Sequence, residues 1–426
     1  MVTVPDQGCR IILISQQTLR TWWWKFLVEI LCVDGLLREY GRSKEKVMRL
    51  SSMWHIVICV GACMLPALSS AAEEIVVGMV VPLDAPDSIG NQMRIGVQTY
   101  FDEQNAKGGV SGSKLKLVVK DRGLNVADGV AKTRELIKET APVALVSLMG
   151  TGSMESLVKS GLLEEQAIPV VGIRTGAMSL HSPVNPFLFH TRANYEREVD
   201  KILTQLHTVG LNQIAVFYEG GAFGKEVLAL VEKNVSKRPG MKVLGAASYE
   251  PNTTTVHNAI KSLQLAQPQA VIVAGSSGAT AEFYKEFRGT GGKSQVVSLS
   301  VADGAEIVKK IGKDAARGLI VTQVVPEPSN RAIPIVRDLS DRLKMYKNPQ
   351  IIINQAIVEG YLAAKVLTEG IRRVGKSVDR RSLRTALDSM TRYDAGGVVI
   401  NFSRDNHSGS QFVDLAIIIQ SGKLMR

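Results

Sequence analysis

The chain has 426 residues, 45% of them apolar, and a formal net charge of +11. That length exceeds one ordinary domain and predicts two lobes with packed cores plus an extra segment. The charge is scattered, with no basic tract and little aromatic interleaving, which argues against nucleic acid as a partner.

Cysteines Cys9, Cys32, Cys59 and Cys63, like all four tryptophans, precede Ala72, so the remainder offers no disulfide and no cysteine-based metal site. This break in composition reads as a processing boundary. Residues 1–47, with Trp22-Trp23-Trp24 in an apolar run, are read as an over-long gene start, with translation beginning at Met48 or Met53. Residues 48–72 read as a secretory signal peptide: Arg49 after Lys44 and Lys46, an apolar run over 54–68, then Ser69-Ser70-Ala71-Ala72 for cleavage. Pro66 and the shortness of the run argue against a membrane span. A periplasmic product starting near Glu73 follows. Acylation at Cys63, as in a lipoprotein, is the alternative.

The mature chain opens with a predicted strand over 74–81, a loop over 82–90, a helix over 91–105 stopped by Lys107-Gly108-Gly109, a strand over 114–120 and a helix over 127–139. A strand–helix–strand unit spans 143–177. Its first strand, 143–149, is a short apolar run, and Gly150-Thr151-Gly152-Ser153 turns into a helix with Met154, Leu157, Val158 and Leu162 at three- and four-residue steps. The second strand, 168–173, ends at Arg174-Thr175-Gly176-Ala177. Both small-residue loops lie at carboxyl ends of parallel strands, where open α/β sheets bind ligands, and helix-start N–H groups there can hold a carboxylate. No acid, base or nucleophile stands beside these loops, so the site is built to hold a ligand and not to change it.

Residues 187–192 read as a strand-like crossover. From Asn212 the order begins again, with strands over 214–218, 241–249, 270–274 and 295–299 and helices over 225–237, 256–264 and 280–288. A strand over 318–325 returns the chain, helices over 334–345, 351–374 and 380–390 follow, and strands over 397–401 and 412–419 end it. The predicted fold class is α/β, two Rossmann-like lobes joined by a three-crossover hinge. Lobe 1 comprises 73–192 plus 326–390 and lobe 2 comprises 193–325 plus 391–426.

At this point the chain resembles the solute-binding proteins of ABC importers of the leucine/isoleucine/valine type, a type I periplasmic binding protein or Venus flytrap. The resemblance rests on DEQNAKGG over 102–109, LEEQAIPV over 163–170, Thr175-Gly176-Ala177, FHTR over 189–192, AFGK over 222–225, DAARG over 314–318 and NHSGS over 406–410. It implies that Ser153, with Thr151 and Gly152, holds a ligand carboxylate, and that Arg174, Thr175 and Gly176 form the second carboxylate loop. Phe223 would line the pocket from the second lobe, with Tyr218 just before it. Arg174 is read first as an outward surface charge, with a carboxylate clamp as the alternative. Tyr195 either covers the cleft floor or packs in the hinge. Ser276, Ser298 and Ser300 would close over the ligand.

Two departures matter. Val301 stands where the family supplies an acid for the ligand's ammonium, leaving Asp84 or Asp303 as substitutes, and Gly275-Ser276-Ser277 lacks a tyrosine often present in amino-acid binders. An unpaired ammonium in a closed cleft is costly. The ligand is therefore a branched-chain or other amino acid, as the family implies, or an aromatic or other organic acid without an amino group.

Other chemistries find little support. Gly292-Lys293-Ser294 lacks the first glycine of a phosphate loop, since Phe287 stands there, and Gly150-Thr151-Gly152 lacks a dinucleotide fingerprint's third glycine. The six histidines show no metal spacing and no Gly-x-Ser-x-Gly elbow occurs. The expectation is a monomeric binding protein, not an enzyme, without cofactor or metal, whose partners are a small-molecule ligand and membrane permease subunits. A ligand-sensing module of a receptor system is the alternative.

Overall fold

A computed structural model describes residues 74–85, 88–345 and 351–426. The expected gene start, the signal peptide and Cys63 lie outside the described residues. No helix among the described residues is long and apolar enough to cross a membrane.

The first sheet is built from β1 (Glu74–Val81), β2 (Lys114–Asp121), β3 (Ala144–Val146), β4 (Val170–Val171) and β5 (Leu188–Phe189), in the order β2-β1-β3-β4-β5. Each pairing is parallel, as its fully apolar inner strands require when helices cover both faces. Between these strands run α1 (Ile89–Ala106), α2 (Asp128–Thr140), α3 (Thr151–Lys159), α4 (Leu162–Glu165) and α5 (Met178–His181). The predicted crossover over 187–192 thus contains the sheet's fifth strand.

The order repeats in the second sheet. It is made of β6 (Gln213–Glu219), β7 (Lys242–Tyr249), β8 (Ala270–Ala274), β9 (Gln295–Ser298) and β10 (Ile320–Gln323), arranged β7-β6-β8-β9-β10 and parallel. Helices α6 (Tyr195–Thr208), α7 (Ala222–Val235), α8 (His257–Leu265), α9 (Ser277–Gly289), α10 (Gly304–Ile311) and α11 (Lys313–Ala316) accompany it. The sequence reading places no element between 193 and 211. Yet α6 carries Tyr195, Val199, Ile202, Leu203 and Leu206 on one buried stripe, and Asn194 caps it by accepting from the Arg197 N–H. A stacked row, Phe217–Phe283 at 4.3 Å and Phe283–Phe287 at 5.4 Å, fills the core beneath the sheet.

After β10 the chain returns to the first lobe with α12 (Pro334–Met345), α13 (Gln355–Val374) and α14 (Arg380–Asp388). Helices α1 and α13 cross closely because each offers a glycine. A Cβ at Gly96 would stand 2.1 Å from the Ile357 carbonyl oxygen, and one at Gly360 2.2 Å from that of Met93. Next come β11 (Tyr393–Asp394) and β12 (Val399–Ile400), an antiparallel pair apart from both sheets. Here the predicted boundary at 391 is corrected. Val398, Ile400 and Phe402 are buried in the first lobe's core, and Phe402 meets Phe189 edge-on at 5.3 Å. The chain crosses to the second lobe only afterwards, where β13 (Asp414–Ile418) pairs antiparallel with β10 and β14 (Leu424–Met425) with β13.

The chain passes between the sheets after β5, after β10 and after β12. The first and third passages are joined: His190 N–H donates to the His407 carbonyl, and Gly409 N–H to that of His190, both at 2.9 Å.

Candidate functional site

In each sheet the strand order reverses beside its first strand, at β1/β3 and at β6/β8, and crevices open at the carboxyl ends of such strands. In the first lobe the chain leaves β3 through Gly150, whose φ of 92° suits glycine, and enters α3 directly. Gly150 gives no side-chain cap, and no acid lies in the first turn. The hydroxyl of Ser153 is buried and has no hydrogen-bond partner. The predicted carboxylate loop is thus an uncapped helix start with an unused hydroxyl.

Arg122 borders it, a residue the sequence reading passed over. It is the first residue beyond β2 and only 9% exposed. Its Nη1 donates to the Gly123 carbonyl at 3.3 Å, its Nε has no partner, and no carboxylate among the described residues pairs with it. Burial lowers its affinity for a proton. A Cβ placed on Gly150 would lie 3.5 Å from Arg122 Nη2 and 3.7 Å from Ser153 Oγ, so both groups flank the helix start. The signal was available in the sequence: a cation immediately past a strand that neighbours the switch point.

On the other side of α3, Thr151 Oγ1 lies 2.7 Å from Thr175 Oγ1. Thr175 Oγ1 also reaches Tyr195 Oη at 3.3 Å and accepts from the Ala177 N–H at 3.3 Å. One donor and two acceptor positions are all a hydroxyl has, so that of Thr175 is fully used inside the protein. Gly176 is required for closeness, since a Cβ there would be 2.8 Å from the Tyr195 nitrogen. Tyr195, buried at the start of α6, packs against Phe223 of the second lobe with centroids 5.1 Å apart. Tyr218 is half-buried at the end of β6.

Several other expectations are corrected. Arg174 is not an outward charge but 4% exposed, its Nε 3.2 Å from Glu359 Oε1. Its Nη2 donates to the Ser300 carbonyl at 3.3 Å. Arg192 pairs with Glu359 at 3.3 Å and with Glu198 at 2.9 Å. Burial disfavours the Arg192 cation, but these two carboxylates hold its pKa above the ordinary value. Ser300 serves this network: its N–H donates to Glu198 Oε2 at 2.9 Å and its hydroxyl accepts from Arg192. The hydroxyl of Ser298, fully buried, contacts the Val273 and Leu299 carbonyls. Asp303 caps α10 through Oδ1, accepting from Ala305 and Glu306, while Oδ2 accepts from Gln355 N–H at 2.9 Å. Three N–H groups thus occupy this fully buried carboxylate. Asp84 is exposed.

Ser276 is exposed and caps α9 through its side chain. Tyr249 at the end of β7 accepts from the Ser276 N–H at 3.0 Å, and burial pushes its pKa up to about 12. Glu219, at the carboxyl end of β6, is a half-buried carboxylate with no cationic partner among the described residues, its pKa raised by burial. It too escaped the sequence reading. Among the described residues no cluster of histidine, cysteine or acidic side chains could hold a metal ion.

A family profile described as periplasmic binding protein matches residues 74–423. Among curated relatives, the chain is similar to Leu/Ile/Val-binding protein homolog 3 of Brucella melitensis. The two are 24% identical over 75% of this chain and 84% of that protein. Among solved structures it resembles a substrate-binding periplasmic protein from Ralstonia solanacearum, with 32% identity, a TM-score of 0.78, and 82% and 99% of the two chains covered. A branched-chain amino acid ABC transporter protein from Thermus thermophilus with bound valine shares the fold at a TM-score of 0.73 and 18% identity, covering 83% and 95%.

Proposed function

The chain belongs to the periplasmic binding protein family, and from that premise we propose that it is an exported solute-binding protein of an ABC importer. It captures a small carboxylate-bearing ligand between its lobes and delivers it to membrane permease subunits. The family and its structural neighbours are substrate-binding proteins, not enzymes. The observation that carries the ligand class is the uncapped start of α3 with the partnerless hydroxyl of Ser153.

In this reading the ligand docks first on the Ser153 side of lobe 1. Each hydrogen bond to its carboxylate contributes about 1.5–3 kcal/mol, and the helix start adds roughly 0.3–1 kcal/mol. Closure then brings Tyr218, Phe223 and the Ser276 loop across, and contacts made only in the closed form set how far the population shifts. Thr175, Arg174, Ser298 and Ser300 support the cleft from behind.

The name of the Brucella relative favours a branched-chain amino acid. A second reading, an organic acid without an amino group, is favoured by Val301 and by the buried Asp303 carboxylate, which already accepts three N–H groups of the protein. A thermal-shift panel on the refolded chain pairs leucine and valine with their 2-oxo counterparts, benzoate and phenylacetate. A ligand at a hundredfold over its Kd stabilises by about 2.7 kcal/mol. A panel in which no carboxylate raises Tm would reject the reading.

A further inference from the structure

We propose that Arg122 is the residue that receives the ligand's negative charge, and that the cleft therefore selects carboxylic acids of net negative charge over zwitterions. This rests on the binding-protein reading above and deepens it.

A buried guanidinium ordinarily has a carboxylate beside it. Arg174 and Arg192 obey this rule, sharing Glu359 and Glu198. Arg122, only 9% exposed, forms no ion pair among the described residues: the neighbouring Asp121 carboxylate favours its charge only through space and spends Oδ1 on the Leu83 and Gly123 N–H groups. It is also placed where a cation is least at home. Its Nη2 flanks the N-terminus of α3, the positive end of a helix dipole, in a first turn without any acid. Two positive features side by side, with the unused hydroxyl of Ser153 next to them, are complementary to an anion. The two groups converge on one point, since a Cβ on Gly150 would lie 3.5 Å from Arg122 Nη2 and 3.7 Å from Ser153 Oγ.

The charge balance identifies the class. A carboxylate neutralises Arg122. A zwitterion would bring an ammonium as well, and Asp303, Glu198 and Glu359 are already committed to partners within the protein. Among the described residues at the second-lobe switch point, Glu219 and Glu226 are half-buried without a cation; burial raises the pKa of both, favouring the neutral forms, and Glu226 already accepts from the Met178 N–H. An apolar edge adjoins the anion site: Val126, 42% exposed, has its Cγ1 3.7 Å from where a Gly152 Cβ would stand, and Leu124 is 51% exposed. The occupant is an acid with an apolar body.

The test uses the full chain, refolded to remove carried ligand, with benzoate, phenylacetate, 4-methyl-2-oxopentanoate, leucine and leucinamide as probes. Calorimetry gives Kd, and thermal unfolding without ligand gives Tm. Arg122→Gln should weaken the best acid by about 100-fold or more, as loss of a buried charged partner does, and Arg122→Lys by about 10-fold, because the bidentate geometry is lost. Ligand-free Arg122→Met should melt at the same temperature as the parent or higher, since it removes an unpaired buried charge. A merely structural arginine would lower it. If acids bind the parent and Arg122→Gln binds them equally well, the assignment to Arg122 is overturned while the binding reading stands. Leucine binding as tightly as its 2-oxo acid, and losing that affinity in Glu219→Gln, overturns the selection for net charge. If none of the probes binds the parent, both this proposal and the broader reading are rejected.

Discussion

Arg174 Nη1 lies 3.4 Å from the carbonyl oxygen of Val301, so a first-lobe cation meets the second-lobe position where an amino-acid binder would offer an acid. With Glu359, Arg192, Glu198 and Ser300 it forms a buried chain of alternating charge across the hinge. Removing one member leaves an uncompensated charge, which costs about 3–5 kcal/mol. Glu198→Ala is expected to lose that much in urea unfolding followed by circular dichroism. A loss below about 1 kcal/mol would mean that water reaches the network and screens it.

Ser153→Ala separates binding from folding. The hydroxyl is buried without a partner, so its removal should leave the ligand-free Tm unchanged or slightly raised. Affinity for the best carboxylate should fall by about 1–3 kcal/mol in calorimetry. A lowered ligand-free Tm would instead identify Ser153 as a helix-start support.

The same contrast shows what the sequence made legible. Repeated strand–helix order gave the parallel strands of both sheets, because each unit is encoded within about ten residues, while the helix expected after the 150–153 turn in fact begins inside it, at Thr151. Side-chain commitments across long separations were not legible. Nothing near Asp303 announces Gln355, nothing near Arg174 announces Glu359, and the hydroxyl beside Ser276 comes from Tyr249. Helix α6 was legible in principle, since its buried residues keep helical spacing after the cap Asn194. The hairpin around Ile400 was misassigned because alternating apolar residues mark a buried strand without saying which core receives it.

Acid should destabilise the hinge side of the first lobe. His181 and His190 stack at 3.7 Å and are both buried; His190 Nε2 lies 3.0 Å from the Leu180 carbonyl. Burial lowers both pKa values, that of His190 from 6.5 to about 4. Above pH 6.5 both forms of the chain hold these rings neutral. Between 6.5 and about 4 the unfolded chain takes up protons that the folded chain refuses, so stability falls as pH falls. The slope is about 1.4 kcal/mol per pH unit for each ring. Urea midpoints at pH 7 and pH 5 should differ accordingly, and His181→Phe, which keeps the stack, should roughly halve the difference. An unchanged difference would place the acid sensitivity elsewhere.

The α1–α13 crossing offers the sharpest packing test. A Cβ at Gly360 would come within 2.2 Å of the Met93 carbonyl oxygen and 2.9 Å of its carbon, backbone atoms that cannot rotate away. Both helices lie in the core of the first lobe, so relief requires moving α13, which carries Glu359 of the charge network. Alanine ordinarily favours a helix over glycine by about 1 kcal/mol, and overpacking a core costs about 1–3 kcal/mol. The clash should win, making Gly360→Ala destabilising by about 1–2 kcal/mol in urea unfolding. The exposed Gly289, whose added Cβ meets nothing within 4 Å at the end of α9, is the control, and Gly289→Ala should stabilise or be neutral. If Gly360→Ala proved as stable as the parent, the two helices would have room to separate and the crossing would not set the distance between α1 and α13.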